Sequence, residues 1–202
     1  MAKGIKSSTD TFWSQNLCIG FTHKEEIMEF NYQIILEGPD GAGKSTLAKT
    51  LAKKFDLNII HSSKDDPNTL EYYKKLLKDN PKGIFDRFYF SEIVYGKVLR
   101  DNKLRLEEAE IKQLQTILET IGVLILYVTN DKETLIERLN QRGEDYLPVE
   151  KLDEVVQEYD KLFKHNLDIQ VYAVEMEEGK IWTVRDWRKP YLKQSIPRNK
   201  KA

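Results

Sequence analysis

The residues with the clearest potential chemistry form one stretch that begins at Gly38 and ends at Ser45. Its sequence matches the phosphate-binding pattern G-x-x-x-x-G-K-[ST]. Glycines allow the backbone to point successive N–H groups at phosphate oxygens, and the start of a following helix adds a partial positive charge. We expect Lys44 to contact the β and γ phosphates of ATP and Ser45 to offer a hydroxyl to Mg²⁺. The residues predicted to bind the cofactor are Gly38, Pro39, Asp40, Gly41, Ala42, Gly43, Lys44, Ser45 and Thr46.

The residues on both sides of this stretch have the patterns of the elements that such a loop joins. Residues 32–36 before it are mostly apolar and partly β-branched, as in a buried strand. Residues 45–52 after it carry apolar side chains at helical spacing. The alternative, a chance glycine-rich turn before a helix, does not require the preceding strand, so the context favours nucleotide binding.

A second pair of candidate residues, Asp86 and Arg87, follows the predicted strand that ends at Phe85. In open α/β sheets the ligand cleft lies at the carboxyl ends of the strands. Asp86 could therefore approach Mg²⁺, and the planar guanidinium of Arg87 could bind a phosphate group. A surface ion pair or a helix cap is the alternative interpretation of the same two residues.

A third candidate is the pair Arg138 and Arg142, which lie four residues apart on a predicted helix and are followed by Gly143. Residues at this spacing share a helix face. Two arginines on a mobile lid could neutralise charge on a transferred phosphoryl group. The alternative is a basic stripe that pairs with Glu137 and Glu144 in solvent.

The rest of the chain alternates short apolar runs with longer amphipathic segments, which is typical of a parallel sheet covered by helices. We predict an α/β fold with a central, mostly parallel sheet of about five strands and a helical lid at residues 138–148. Predicted strands after the loop are 57–61, 83–86, 123–128 and 169–174, with 180–184 as an extra candidate; predicted helices are 69–78, 91–99, 106–121, 132–141 and 149–163.

Length and composition predict a single globular domain. The 202 residues suffice for one α/β core, and 32 basic against 33 acidic residues leave no global charge that would favour nucleic acid. We assign residues 31–192 to the domain, 1–30 to an extension of unknown role and 193–202 to a small basic tail. A single cysteine, Cys18, and the lack of a long apolar segment predict a cytoplasmic protein without membrane attachment.

The stretch Glu37 to Thr46, the run Asp86-Arg87-Phe88 with Ser91 and Tyr95, and the segment 138–145 occur in the order found in thymidylate kinases, which this chain resembles. The resemblance covers residues 33–172 and implies a P-loop kinase of nucleotide biosynthesis. Such an enzyme transfers the γ-phosphoryl group of ATP to dTMP or a related deoxynucleoside monophosphate. A homodimer, formed in part through the helix after Arg87, is a further implication.

The resemblance also implies roles for individual residues. Asp40 would contact the 3′ hydroxyl of the acceptor sugar, Arg87 the acceptor phosphate, and Asp86 the metal. Ser91 and Tyr95 would line the acceptor pocket. The predicted catalytic residues are Lys44, Arg87, Arg138, Arg142 and Asp40.

The chain departs from this family between Lys44 and Asp86. The interval is shorter than usual and contains no arginine, although it normally supplies contacts to the acceptor phosphate and base. His61 is therefore a candidate substrate contact, and its neighbours Ser62, Ser63 and Lys64 could add polar contacts. Tyr72 and Tyr73 could stack on a base. The identity of the acceptor base stays open.

Two other functions are compatible with the sequence. A kinase acting on a hydroxyl, either of a deoxynucleoside or of a modified base in nucleic acid, would need Glu37 or Asp40 as a general base, whereas a phosphate acceptor needs little such help. A P-loop ATPase or nucleotide switch would need no small acceptor. The paired arginines and the small size of the chain favour a kinase over the switch.

Overall fold

The protein was analysed as a computed structural model, which describes residues 33–142, 147–165, 169, 171–177 and 180–186. For residues 142, 165, 176–177 and 180–186 it describes the backbone only. The predicted N-terminal extension, the basic tail, Cys18 and part of the lid lie outside the described residues, so the domain boundaries remain predictions. No described helix is both long enough and apolar enough to span a membrane.

Within the described residues, six strands form one sheet with the order β2-β3-β1-β4-β5-β6. The first five are parallel and β6 runs antiparallel to β5. This confirms the predicted α/β fold with a mostly parallel sheet. The strands are β1 (Ile34–Glu37), β2 (Asn58–His61), β3 (Gly83–Asp86), β4 (Leu124–Thr129), β5 (Val171–Glu177) and β6 (Lys180–Asp186).

Six described α-helices cover this sheet. They are α1 (Lys44–Phe55), α2 (Leu70–Asp79), α3 (Tyr89–Leu99), α4 (Glu108–Ile121), α5 (Lys132–Arg142) and α6 (Leu152–His165), the last preceded by a 3₁₀ turn at Val149–Lys151. Every residue of β1, β3 and β4 is buried, as expected for parallel strands that are covered on both faces.

Local sequence signals account for several helix ends. Asp131 caps α5 by accepting a hydrogen bond from the backbone N–H of Thr134 over 2.8 Å. Gly122 ends α4 in the left-handed conformation, with φ of 71°, and its N–H donates to the carbonyl of Leu118. These helices therefore begin and end close to their predicted limits.

Helix α3 differs from its prediction because it begins at Tyr89, two residues earlier than expected. Phe88, the residue before it, has no capping side chain of its own. The cap comes instead from Glu37 on β1. Residues 89–96 of α3 are all buried within this chain, and the expected homodimer remains a prediction.

The strand order brings the candidate residues to one edge of the sheet. β1 lies between β3 and β4, and the register pairs Leu36 with Asp86 and Glu37 with Tyr127. His61 at the end of β2 pairs with Asp86. The phosphate-binding loop therefore leaves the middle of the sheet with Asp86 and Arg87 beside it.

Candidate active site

The loop between β1 and α1 passes very close to the backbone of β4. Gly38 has φ of 140°, and a Cβ atom added there would lie 2.0 Å from the carbonyl oxygen of Val128. Both the dihedral and the lack of space require glycine at this position. The predicted loop therefore starts where the chain turns away from the sheet.

Lys44 is the first residue of α1, and its side chain turns back along the loop. Its Nζ donates hydrogen bonds to the carbonyl oxygens of Gly38 over 2.9 Å and Pro39 over 2.7 Å. Burial lowers the pKa of Lys44 to about 7, and the nearby Arg87 guanidinium acts in the same direction. A bound polyphosphate would add negative charge here and favour the charged amine.

Ser45, Asp86 and His61 meet beside the loop. The Ser45 hydroxyl donates to Oδ2 of Asp86 over 2.6 Å, and Nδ1 of His61 lies 3.2 Å from the same oxygen. Among the described residues, no group of three or more His, Cys, Asp or Glu side chains could hold a metal. One hydroxyl and one carboxylate still fit Mg²⁺, because this ion usually keeps several waters and binds few protein ligands beside the substrate phosphates.

Asp40 and Arg87 form an ion pair next to Tyr95. Nη2 of Arg87 donates to Oδ1 of Asp40, and the Tyr95 hydroxyl donates to Oδ2 of Asp40 over 2.9 Å. Burial alone would raise the pKa of Asp40, but the Arg87 guanidinium and Lys44 lower it below its ordinary value. Asp40 is therefore a carboxylate held in place by two donors.

The backbone of Arg87 is held as firmly as its side chain. Its φ is 76°, an unfavourable value for a residue with a Cβ atom. Its N–H donates to the Leu36 carbonyl over 3.0 Å, and its carbonyl accepts from the Ser62 hydroxyl over 2.9 Å. Nε and Nη1 make no hydrogen bond to any described residue, so they can donate to a ligand.

Glu37 is fully buried and lies behind the site. Its Oε1 accepts hydrogen bonds from the backbone N–H groups of Phe88 over 2.7 Å and Ser91 over 3.1 Å. Its Oε2 accepts from the Tyr159 hydroxyl over 3.0 Å. Burial raises the pKa of Glu37, whereas Arg87 and the two backbone donors lower it. These contacts make Glu37 the cap of α3 and leave it inaccessible to a substrate.

A cavity of about 210 Å³ opens beside Asp40 and Arg87. Ser91 and Tyr95 line it, and Tyr73 forms part of its wall; that the cavity holds the acceptor remains a prediction. Tyr72 is absent from the lining and packs against the edge of Tyr73, with 5.4 Å between the ring centroids. The remaining lining residues are Ser62, Ser63, Lys64, Asn68, Phe88, Glu92, Arg100 and Arg105.

A second, strongly polar cleft adjoins this cavity on the side of the loop. Its lining includes Lys44, Ser45, His61 and Asp86, and it shares Asp40, Ser62 and Arg87 with the cavity. His61 thus lies on the cleft side, next to the candidate metal ligands, and is absent from the cavity lining. The arrangement provides a cleft suited to phosphates and an adjacent cavity for a second molecule.

Arg138 on α5 contacts the phosphate-binding loop. Its Nη1 donates to the carbonyl oxygens of Gly41 over 3.1 Å and Ala42 over 3.5 Å. The predicted partner Arg142 is the last residue of α5, and its side chain lies outside the described residues. The structure therefore brings Arg138 to the loop, while the role of both arginines in a lid remains a prediction.

The sequence did not indicate Arg100, Arg105 or Glu92 as site residues. All three line the cavity, although Arg100 and Arg105 belong to the segment after α3. The sequence does show two arginines after α3, the helix that follows Asp86 and Arg87. It does not show that the segment carrying them folds back to the cavity. These two arginines, which come from outside residues 45–85, line the cavity.

Comparison with known proteins gives relatives of the same fold. YorR, an uncharacterized prophage-derived protein of Bacillus subtilis, is 28% identical over 171 residues, which are 81% of this chain and 95% of YorR. The crystal structure of YorR in complex with phosphorylated GDP superposes with a TM-score of 0.61 and 29% identity, over 71% of this chain and 85% of that one. No protein-family model matches the chain.

Two further relatives have named activities. Cytidylate kinase of Fusobacterium nucleatum is 22% identical over 123 residues. The matched part is 53% of this chain and 56% of that enzyme. Deoxyadenosine kinase of M. mycoides, solved with dCMP and dCDP, has a TM-score of 0.50 and 21% identity over 71% of this chain and 90% of that one. The fold is that of a P-loop kinase. These two relatives are a nucleotide kinase and a nucleoside kinase by name. The narrower likeness of this chain to thymidylate kinases remains a prediction.

Proposed function

We propose that the protein is an ATP-dependent kinase that phosphorylates a deoxynucleoside monophosphate. The observation that carries this proposal is the location of Arg87, which is shared by the polar cleft and the cavity. Its unused Nε and Nη1 groups can bind the acceptor phosphate while Asp40 holds Nη2. An acceptor phosphate bound there would face the γ-phosphate of ATP in the cleft.

The donor side of the proposal rests on the loop. Lys44 would leave the carbonyl oxygens of Gly38 and Pro39 to contact the β and γ phosphates. Ser45 and Asp86 would hold Mg²⁺, which neutralises phosphate charge when it is bound. Arg138, already at the loop, would add positive charge near the transferred group.

The acceptor is proposed to be a phosphate because the site offers a poor general base. Glu37 accepts hydrogen bonds from Phe88, Ser91 and Tyr159, and it is buried and absent from the linings of the cavity and the cleft. Asp40 accepts from Arg87 and Tyr95, which lowers its basicity. A hydroxyl acceptor needs proton removal, whereas a phosphate acceptor mainly needs alignment and charge neutralisation.

A set of candidate acceptors, each offered to the protein with ATP, tests this proposal directly. The protein is incubated with ATP and Mg²⁺ and with deoxynucleoside monophosphates, deoxynucleosides or single-stranded oligonucleotides, and the phosphorylated product is identified. We expect phosphorylated product only with the deoxynucleoside monophosphates, which should become diphosphates. Product in the deoxynucleoside or oligonucleotide arm would assign a hydroxyl kinase, and ATP hydrolysis without any phosphorylated acceptor would contradict the kinase proposal.

A further inference from the structure

One wall of the cavity carries a buried carboxylate that is bonded to one guanidinium group and to the backbone of a second arginine. The Glu92 side chain is only 5% exposed, and its Oε1 accepts from Nη2 of Arg100 over 2.5 Å. The backbone N–H of Arg105 donates to the same oxygen over 3.0 Å. These contacts attach the segment after α3 to the cavity wall.

These residues keep hydrogen-bonding capacity that no other described residue uses. Oε2 of Glu92 accepts no hydrogen bond from a described residue, although Glu92 lines the cavity. Arg105 donates through Nη1 to the carbonyl oxygens of Lys64 and Asp66, over 3.0 and 3.5 Å, and makes no described hydrogen bond through Nη2. The wall therefore offers one acceptor next to several donors.

The wall lies in the part of the cavity that is not shared with the phosphate cleft. Asp40, Ser62 and Arg87 are common to both, whereas Glu92, Arg100 and Arg105 line the cavity alone. Glu92 also precedes Tyr95 by one turn of α3, so the two share a helix face. A nucleotide with its phosphate at Arg87 and its sugar near Asp40 and Tyr95 would direct its base toward this wall.

We propose that Glu92, with Arg100 and Arg105, recognises the base of the acceptor nucleotide and selects a base with an amino group, cytosine or guanine, over thymine. This inference rests on the proposed function. A carboxylate accepts hydrogen bonds from the amino groups of cytosine or guanine, and a guanidinium donates to the carbonyl oxygen that both of these bases carry and adenine lacks. Thymine presents two carbonyl oxygens around a single N–H group, so a carboxylate opposite its edge is repelled.

The test compares kcat/KM for dCMP, dGMP and dTMP in the wild-type protein and in Glu92→Gln. We expect the wild type to prefer dCMP or dGMP over dTMP by about tenfold or more, in line with the discrimination of a good base contact. Glu92→Gln removes the charge and keeps the size, and it should reduce that preference by about tenfold while the KM for ATP stays unchanged. Glu158→Gln is the matched control, because Glu158 pairs with Lys97 and Lys161 outside the cavity.

A second variant covers the case in which Glu92→Gln does not fold, as judged by its circular dichroism spectrum. Arg105 is largely exposed, so Arg105→Gln should fold and should lower kcat/KM for the preferred nucleotide more than for dTMP. A wild-type preference for dTMP, or a base preference that neither variant changes, would overturn the inference.

The proposed function and this inference fail in different ways. If no monophosphate gains phosphate, the proposed function fails, and calorimetric binding of the same three nucleotides then tests base recognition alone. Tighter binding of dCMP or dGMP that weakens in Glu92→Gln would support the inference. Equal binding of all three nucleotides, or no binding, would overturn it.

Discussion

The backbone N–H of Phe88 donates a hydrogen bond to Oε1 of Glu37 over 2.7 Å, so the last residue of β1 caps the first turn of α3. A carboxylate at a helix N-terminus also interacts favourably with the helix dipole. Arg87 is the residue before Phe88 in the chain. The hydrogen bond from Phe88 to Glu37 therefore fixes the backbone from which the Arg87 guanidinium extends. Glu37 therefore acts on the site through the position of Arg87.

Glu37→Gln should destabilise the protein without changing the pH dependence of catalysis. The amide keeps one acceptor, but its NH2 group turns toward the backbone N–H groups and the Tyr159 hydroxyl, which donate to the carboxylate in the native protein. Two donors facing each other should lower the free energy of unfolding by about 1.5–3 kcal/mol. Urea unfolding measures this loss, with Glu158→Gln as the control. A stable variant with kcat reduced by about 10² or more would instead identify Glu37 as a general base.

Asp40→Asn should make the protein less sensitive to acid. The pKa of Asp40 is lowered in the folded state, so the stability that this carboxylate contributes is complete above its unfolded pKa of about 3.9 and is lost as the pH falls through the folded pKa. We expect the wild type to lose stability more steeply than Asp40→Asn below about pH 4. Urea unfolding at a series of pH values measures both curves. Parallel curves would mean that the ion pair with Arg87 contributes no net stability.

Lys44→Ala should abolish phosphoryl transfer while the chain stays folded. Loss of one charged donor aimed at a transferred group costs at least about 10²–10³ in rate, and Lys44 also holds the loop through two carbonyl oxygens. Lys49→Ala, on the exposed face of α1, is the matched control. Initial rates with saturating ATP measure the effect. Transfer by Lys44→Ala at a rate near that of the control would refute its role.

Arg87→Ala and Arg87→Gly should both weaken acceptor use. Each removes the guanidinium, so KM for the acceptor should rise while KM for ATP changes little. Glycine relieves the left-handed backbone at φ of 76°, so Arg87→Gly should be the more stable of the two by about 1 kcal/mol. Steady-state kinetics and urea unfolding of the pair separate the two effects. Unchanged acceptor kinetics in both variants would contradict phosphate binding by Arg87.

Gly38→Ala should be far more damaging than Gly122→Ala. Both glycines have positive φ, but a Cβ at Gly38 would overlap the Val128 carbonyl, whereas one at Gly122 meets no atom within 4 Å. Gly122→Ala should therefore cost only the backbone strain of about 1–2 kcal/mol, and Gly38→Ala should in addition displace the loop from β4. Thermal unfolding and ATP binding measure the difference. Equal losses would show that the close approach to β4 is unimportant.

Several parts of the site follow from local sequence. The loop from Gly38 to Ser45, the caps at Asp131 and Gly122, and the location of Asp86 at a strand end depend on residues that are close together in the chain. The spacing of apolar residues predicted the strands and helices, because this spacing too involves residues that are close together in the chain. The parallel order of the sheet then brings the ends of β1, β2 and β3 to one edge.

The parts that were not predicted depend on contacts between distant residues. The early start of α3 requires Glu37, which lies on another strand, and the cavity wall requires the segment at Arg100 and Arg105 to fold back onto Glu92. Residue types alone do not reveal such contacts, because an arginine after a helix is usually an exposed surface residue. The number of arginines between Lys44 and Asp86 was therefore a poor guide to the charge of the cavity.

The hydrogen bond from Tyr159 to Glu37 joins residues that are far apart in the sequence. A product of premature termination before α6 would still contain the entire phosphate-binding motif and all of β1. It would nevertheless lack the donor for Oε2 of Glu37, as well as the strand β5 that pairs with β4. An intact motif in a shortened gene product is consequently no sign of an intact site.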